Sequence, residues 1–456
     1  MKFTKMSLVA ALLIGSSAFA LDNVKVSGDA NLFYQTTDGA SGYDKLKDRK
    51  SGDLFSKDSS AADASLNLNI TADVFANDLV SVSAGAGYTV LTTLGLENNF
   101  VSNVWGGSHG VTAGTHAQYG SALKGVKVEN ASWMNEAWFA ATTGKTTAKI
   151  GRMALDTPLA FTETWSAEEN TFEGVVLVNQ DIPDTTLVGA YVGNGNGSET
   201  FGKNERGALV TDSAAANPPY NLAVGEVVNE NGKFTTYGRN GAYAAGVINN
   251  SYAPLTAQAW YYDVVSVATA YWLQADLDAS SLGVEGLTLG AQYCAMDVAK
   301  SFVGTTNTET NSVYALKAGY EMKDMFAASV AYSQTSSDGT LSNVGANTAT
   351  STGASKLYTE AWWNYGHVTL RDTTAYNVTV TSPVEGLFDL GLYYTYADQG
   401  KAKDAAMAGA GDVTEFTATA GKSFGPLDLT AAYIYSDFGK AGGSNNTVQV
   451  YASVNF

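Results

Sequence analysis

The chain has 456 residues, of which 45% are hydrophobic, 11% aromatic and only 15% charged, and its 26 basic against 44 acidic residues give a net charge of −18. That acidity argues against a nucleic-acid partner. The one cysteine, Cys294, excludes an internal disulfide and a cysteine-based metal site.

In chain order, Lys2 and Lys5 precede an apolar stretch from Met6 to Ile14, and Ala18-Phe19-Ala20 has the small-x-small pattern of a cleavage site. Residues 1–20 therefore read as a secretory signal peptide, too short in its apolar part for the roughly 20 residues of a spanning helix. Removing it takes two lysines and no acids, which leaves 24 basic and 44 acidic residues and a net charge near −20 on residues 21–456.

From Val24 the hydrophobic pattern has a period of two. Val24, Val26, Gly28, Ala30, Leu32 and Tyr34 share one face of a first strand, Leu66 to Val74 form a second, and Val80 to Val90 a third. Further strands are predicted near 130–142, 145–152, 171–180, 185–193, 240–249, 255–263, 266–276, 286–297, 311–322, 325–335, 372–382, 386–397, 412–422, 426–437 and 446–456. The last places Val448, Val450, Ala452, Val454 and Phe456 on an apolar face and Gln449, Tyr451, Ser453 and Asn455 on a wet one. A terminal aromatic at that register resembles the assembly signal of outer-membrane barrels.

Eighteen segments of about 9 to 11 residues suit tilted strands that cross a bilayer. The expected fold is all-β: a transmembrane antiparallel β-barrel of 18 strands, with 16 as the alternative. The connections alternate between short turns and long loops except at Val264-Val265, which places both ends of the barrel on the periplasmic side. Lipid cannot hydrogen-bond a free strand edge, so such a sheet must close. About half of Trp133, Tyr261, Tyr271, Trp272, Tyr320, Tyr332, Tyr394 and Tyr435 are expected in interfacial girdles.

A barrel of this size encloses a water-filled lumen unless something plugs it, and no plug segment precedes Val24. The third outer loop, 153–170, is expected to narrow the bore, with Asp156, Glu163, Glu168 and Glu169 beside Arg152 at the constriction. Glu136 and Lys149 have the wet parity of their strands and are expected to face the lumen. An acidic ring of this kind favours cations.

Gly151-Arg152-Met153-Ala154-Leu155-Asp156-Thr157-Pro158-Leu159, Asn170-Thr171-Phe172-Glu173-Gly174, Asp181-Ile182-Pro183-Asp184-Thr185-Thr186-Leu187 and Leu357-Tyr358-Thr359-Glu360-Ala361-Trp362 resemble the OprD-like porins of epsilonproteobacteria, related to Campylobacter-type major outer-membrane proteins. The resemblance extends over most of residues 21–456. It implies an 18-stranded barrel in the Gram-negative outer membrane, often a homotrimer, whose third loop constricts a pore for small hydrophilic solutes. The substrate-specific OprD branch lines its pore with an arginine ladder for carboxylates, whereas this chain has only Arg49, Arg152, Arg206, Arg239 and Arg371, mostly in predicted loops. The expectation is a general, cation-preferring porin surrounded by outer-membrane lipid.

No enzyme is expected. His109, His116 and His367 fall in predicted loops and no spacing assembles a nucleophile, base and orienting group. The Gly-rich run from Gly193 opens a loop and no helix, so the context for phosphate binding is missing. Cys294 reads as an isolated lumen thiol. No cofactor is expected; calcium at outer-loop carboxylates is conceivable on ligand chemistry, but no ordered ligand spacing supports it. The alternative from another class is a surface adhesin or structural envelope protein, for which the long loops 194–239 and 336–371 leave room.

Overall fold

In the computed structural model the residues described are 23–38, 54–55, 60–92, 131–164, 167–197, 228, 232–238, 240–303, 308–349, 354–400, 411–439 and 443–456. The segment read as a signal peptide, His109, His116, Arg49, Arg206, Arg239 and most of the first, second and fourth predicted loops lie outside them.

Alternation of apolar and polar residues becomes a run of long strands: β1 (Lys25–Thr37), β2 (Ser60–Ala76), β3 (Ser81–Thr92), β4 (Ala131–Thr143), β5 (Thr146–Met153), β6 (Phe172–Asn179) and β7 (Thr185–Gly195). A two-residue β8 (Thr235–Thr236) adds to the end of β7. There follow β9 (Ala242–Asn249), β10 (Leu255–Val264), β11 (Ala268–Asp278), β12 (Leu287–Val298), β13 (Asn311–Met322), β14 (Phe326–Thr335), β15 (Thr373–Val384), β16 (Phe388–Gln399), β17 (Val413–Phe424), β18 (Leu427–Asp437) and β19 (Ser444–Asn455).

Leaving β8 aside, each long strand pairs antiparallel with its neighbours in sequence, β7 pairs with β9, and β19 returns to β1. The result is the closed 18-stranded barrel that the periodicity predicts. β2 begins six residues before the alternation from Leu66 suggests, and a bulge between Asp73 and Phe75 shifts its register with β3. The tight link predicted at Val264-Val265 is a turn from β10 to β11 with Ser266 at φ 63°.

The two faces of the sheet differ as a bilayer requires. On β1, Val26 and Leu32 remain 64% and 38% exposed while Phe33 is fully covered. Ile70, Phe139, Ile150, Leu316 and Val330 each keep at least half of their surface bare on the outside. A belt of that size would not persist in water, but it matches hydrocarbon. Tyr261, Tyr271, Tyr320 and Tyr394 are exposed on this outer face and suit a girdle. Trp133 and Trp272 do not: they turn inward, 6% and 0% exposed, because their register rows face the bore.

The apolar core lies inside the barrel. Trp260, Tyr262, Trp272, Cys294 and Val313 project from the β10–β13 wall onto Leu155, Leu159, Leu341, Val344 and Leu357 of connecting loops. This half of the bore is packed. The inward faces of β19, β1 and β2 instead carry Gln449, Ser453, Asp29, Asn31, Ser65 and Asn67.

Candidate functional site

Two outer loops fold into the lumen. The first connects β5 to β6. Its Thr157 caps a tight turn, with Oγ1 donating to the Ala160 carbonyl at 2.7 Å and the backbone N–H of Thr162 returning to Leu155 at 2.7 Å. Leu155 and Leu159 enter the apolar core. The loop then runs along the opposite wall, where Asn67 Nδ2 donates to Glu168 Oε1 at 3.2 Å and Ser65 Oγ to the Ala167 carbonyl at 3.4 Å.

The second connects β14 to β15 and crosses more of the bore. Asn347 joins it to the first loop by accepting from the N–H of Phe161 at 3.1 Å and donating to the Phe161 carbonyl at 2.8 Å. Thr348 Oγ1 donates to the Leu159 carbonyl at 2.6 Å, and Lys356 ion-pairs with Asp156. At its far end, Glu415 of β17 accepts the backbone N–H groups of Trp362, Trp363 and Asn364 at 2.9, 3.0 and 2.7 Å. A buried carboxylate is tolerated only when its lone pairs are satisfied, and here successive amides do so. Glu360, also inside this loop, accepts from the N–H groups of Ala361 and Gly366, and burial raises its carboxyl to about 7.

Between the first loop and β1–β4 lies a cavity of about 210 Å³. Four carboxylates line it, Asp29, Glu136, Glu168 and Glu169, interleaved with the amides of Asn31, Asn67, Asn69 and Asn135. Asn67 Nδ2 also donates to Asp29 Oδ2 at 2.9 Å, and Trp138 Nε1 to Glu136 Oε2 at 3.1 Å. Burial pushes Glu168 up to about 8, against the hydrogen bonds of Ser65 and Asn67 and with help from the Glu169 and Asp29 charges. Glu169 rises to about 7 for the same main reason, with Glu136 and Asp29 adding repulsion. Like charges sharing one desolvated space hold their protons longer.

The residues singled out in the sequence divide into groups. Glu136, Glu168 and Glu169 meet in the cavity, and Lys149 stands beside it with Nζ 4.2 Å from the centre of the Trp138 ring. Glu163 is buried in the same loop but bound to Asn347. Asp156 is at the junction of the two loops, paired with Lys356. Arg152 stands apart: it pairs in register with Ala137 and Glu173, in line with the outward-facing Phe139 and Ile150, and binds Glu173 at 2.7 Å. Cys294 does lie on an inward row, but fully buried under Met296 and the second loop, so it is not open to the lumen. His367 packs on Phe438 with Gln399 at its Nδ1. Among the described residues no three His, Cys, Asp or Glu side chains converge to hold a metal ion.

Asp29, Asn67 and Asn135 were not singled out in the sequence. Asp29 and Asn67 had a signal, since each lies on the wet parity of a predicted strand. Lys356 and Glu415 had none, because nothing local shows that a long loop turns inward.

No protein-family model and no curated protein matches the chain. Solved structures do. The vanillate-containing structure of OpdK from Pseudomonas aeruginosa is similar with a TM-score of 0.66 at 12% identity, over 95% of this chain and 98% of that one. OccAB1 of Acinetobacter baumannii gives 0.67 at 13% identity, over 95% and 97%. OccK8 (OprE) of Pseudomonas aeruginosa gives 0.64 at 14%, over 95% and 98%. At these identities the likeness shows the fold alone, a closed β-barrel.

Proposed function

We propose that the protein is an outer-membrane porin for passive diffusion of small hydrophilic solutes, with a preference for cations. The conduit follows the amide- and acid-lined wall of β19 and β1–β4, beside the two inserted loops. The observation that carries this reading is the cavity with four carboxylates and no basic residue in its lining. Arg152 and Asp156 are each ion-paired and add little net field, whereas Glu168 and Glu169 belong to the lining of the cavity itself. In a constriction of low dielectric, unpaired carboxylates stabilise a cation and repel an anion. The fold supports the porin part of this reading, because a closed barrel of 18 long strands is wide enough to enclose a lumen.

The test is the conductance and zero-current potential of the refolded barrel in a planar bilayer under a potassium chloride gradient. Stable ohmic steps with a potential of cation-selective sign are expected. At pH 9, where both carboxyls are ionised, the potential in E168Q/E169Q should move toward zero. A folded protein without conductance would overturn the porin reading, and an anion-selective sign would remove these carboxylates from the constriction.

A further inference from the structure

Aromatic side chains inside the bore lie close against the wall where a glycine makes room. A Cβ at Gly85 would stand 2.5 Å from the Trp138 ring, one at Gly290 2.7 Å from Tyr358, and one at Gly391 2.7 Å from Tyr393. Lysines already use ring faces in the bore: Lys149 over Trp138 at 4.2 Å, Lys317 over Tyr358 at 5.4 Å and Lys356 over Phe161 at 5.0 Å. Ring and ammonium is thus a pairing that this lumen makes repeatedly.

Trp362 of the second loop lies beside Tyr393 with ring centres 6.2 Å apart and meets Tyr451 at 6.4 Å and 84°. Tyr393 alternates with buried Thr395 on β16, and Tyr451 with buried Gln449 on β19, so both stand on inward rows. All three residues are partly covered and none is fully buried. The run leads to the acidic cavity. Two residues beyond Tyr451, Ser453 Oγ donates to Asn31 Oδ1 at 2.6 Å, and Asn31 lines that cavity.

We propose that Trp362, Tyr393 and Tyr451 form a binding rail for organic cations, solutes that carry an ammonium or guanidinium group, and pass them to the adjoining carboxylates. The proposal rests on the porin reading and names its solute class. Ring faces carry negative quadrupole density and attract a cation, and the next group it meets is a carboxylate. An anion of the same shape gains the ring contact but is repelled at the next step. A neutral solute gains neither charge term.

The experiment uses the refolded full barrel in planar bilayers with potassium chloride as carrier. Benzylammonium is the probe, and benzoate and benzyl alcohol are its anionic and neutral counterparts. Benzylammonium should interrupt the potassium current in resolvable blocks, and benzoate and benzyl alcohol should not. Block dwell times should fall about five-fold in W362L and in Y393L, and W362F should retain most of the wild-type dwell. Trp362 is anchored through its backbone N–H on Glu415, so W362L keeps that anchor, and Y393L tests the wall independently of the loop. Equal block by all three probes, or dwell times unchanged in both leucine variants, would overturn the rail. Absence of any potassium chloride steps from a barrel with folded, heat-modifiable gel mobility would overturn the porin reading beneath it, which separates the two failures.

Discussion

Glu168 and Glu169 occupy the same cavity, and burial sets both titrations near neutrality, at about 8 and about 7. Below that range they are uncharged and add no field to the cavity. Cation preference should therefore increase as pH rises through about 7 to 8. The zero-current potential in a potassium chloride gradient, recorded from pH 6 to pH 9, should climb in the wild type and stay flat in E168Q/E169Q; a flat wild-type profile would show that these groups do not set selectivity. The stability effect has the opposite sign. A carboxyl whose folded value is raised binds a proton in the folded state that the unfolded state has already lost, so docking of the first loop weakens between about pH 4.5 and 8. Amide exchange in residues 157–164, corrected for intrinsic rate, should be slower at pH 5 than at pH 8.5. At this scale the sequence was only partly legible: the wet parity of β1 and β2 marks Asp29 and Asn67, but nothing local distinguishes Glu168 in a cavity from Glu163 tied to Asn347.

The strands were legible as elements because their cause is local. A period of two commits each segment to one wet and one apolar face, and a one-residue slip would reverse both, so the 18 long strands fall where the alternation places them. The two inserted loops were not, because their contacts join residues far apart in sequence. Asn347 meets Phe161 across 186 positions, and Trp362 meets Glu415 across 53. The second loop should be most sensitive at Glu415, where one carboxylate serves three consecutive N–H groups. E415A strands these donors, at roughly 1–3 kcal/mol for each that water does not reach. The expected result is a loosened loop and larger, noisier current steps than the wild type, with E415Q intermediate because its one carbonyl oxygen still accepts. Steps of wild-type size and noise in E415A would mean that Asn364–Ser436 and Tyr358–Asp276 suffice to hold the loop.

For the whole molecule, closure replaces the hydrophobic core of a water-soluble protein as the condition of stability, since one open seam would leave backbone groups unpaired in lipid. The seam is β1 on β19, nine register pairs from Asp29–Asn455 to Thr37–Thr447. Beyond it, Gly28 and Phe456 exchange backbone hydrogen bonds at 2.9 and 3.0 Å. The Phe456 ring lies over Gly28 on the lipid side, where a Cβ would come within 2.7 Å of the ring and 2.2 Å of the Asn67 carbonyl oxygen. The ring could rotate away, but the carbonyl belongs to the β1–β2 ladder and cannot move without breaking a pair. G28V should therefore lower the yield of folded, heat-modifiable barrel on refolding several-fold, while F456A, which removes only the ring, should lower it less. The double variant separates the two contacts: if the ring were the obstacle, F456A would rescue G28V, whereas an obstacle at the Asn67 carbonyl leaves the double variant as poor as G28V alone. The second outcome is expected, because backbone in a closed sheet yields less than a side chain that faces lipid.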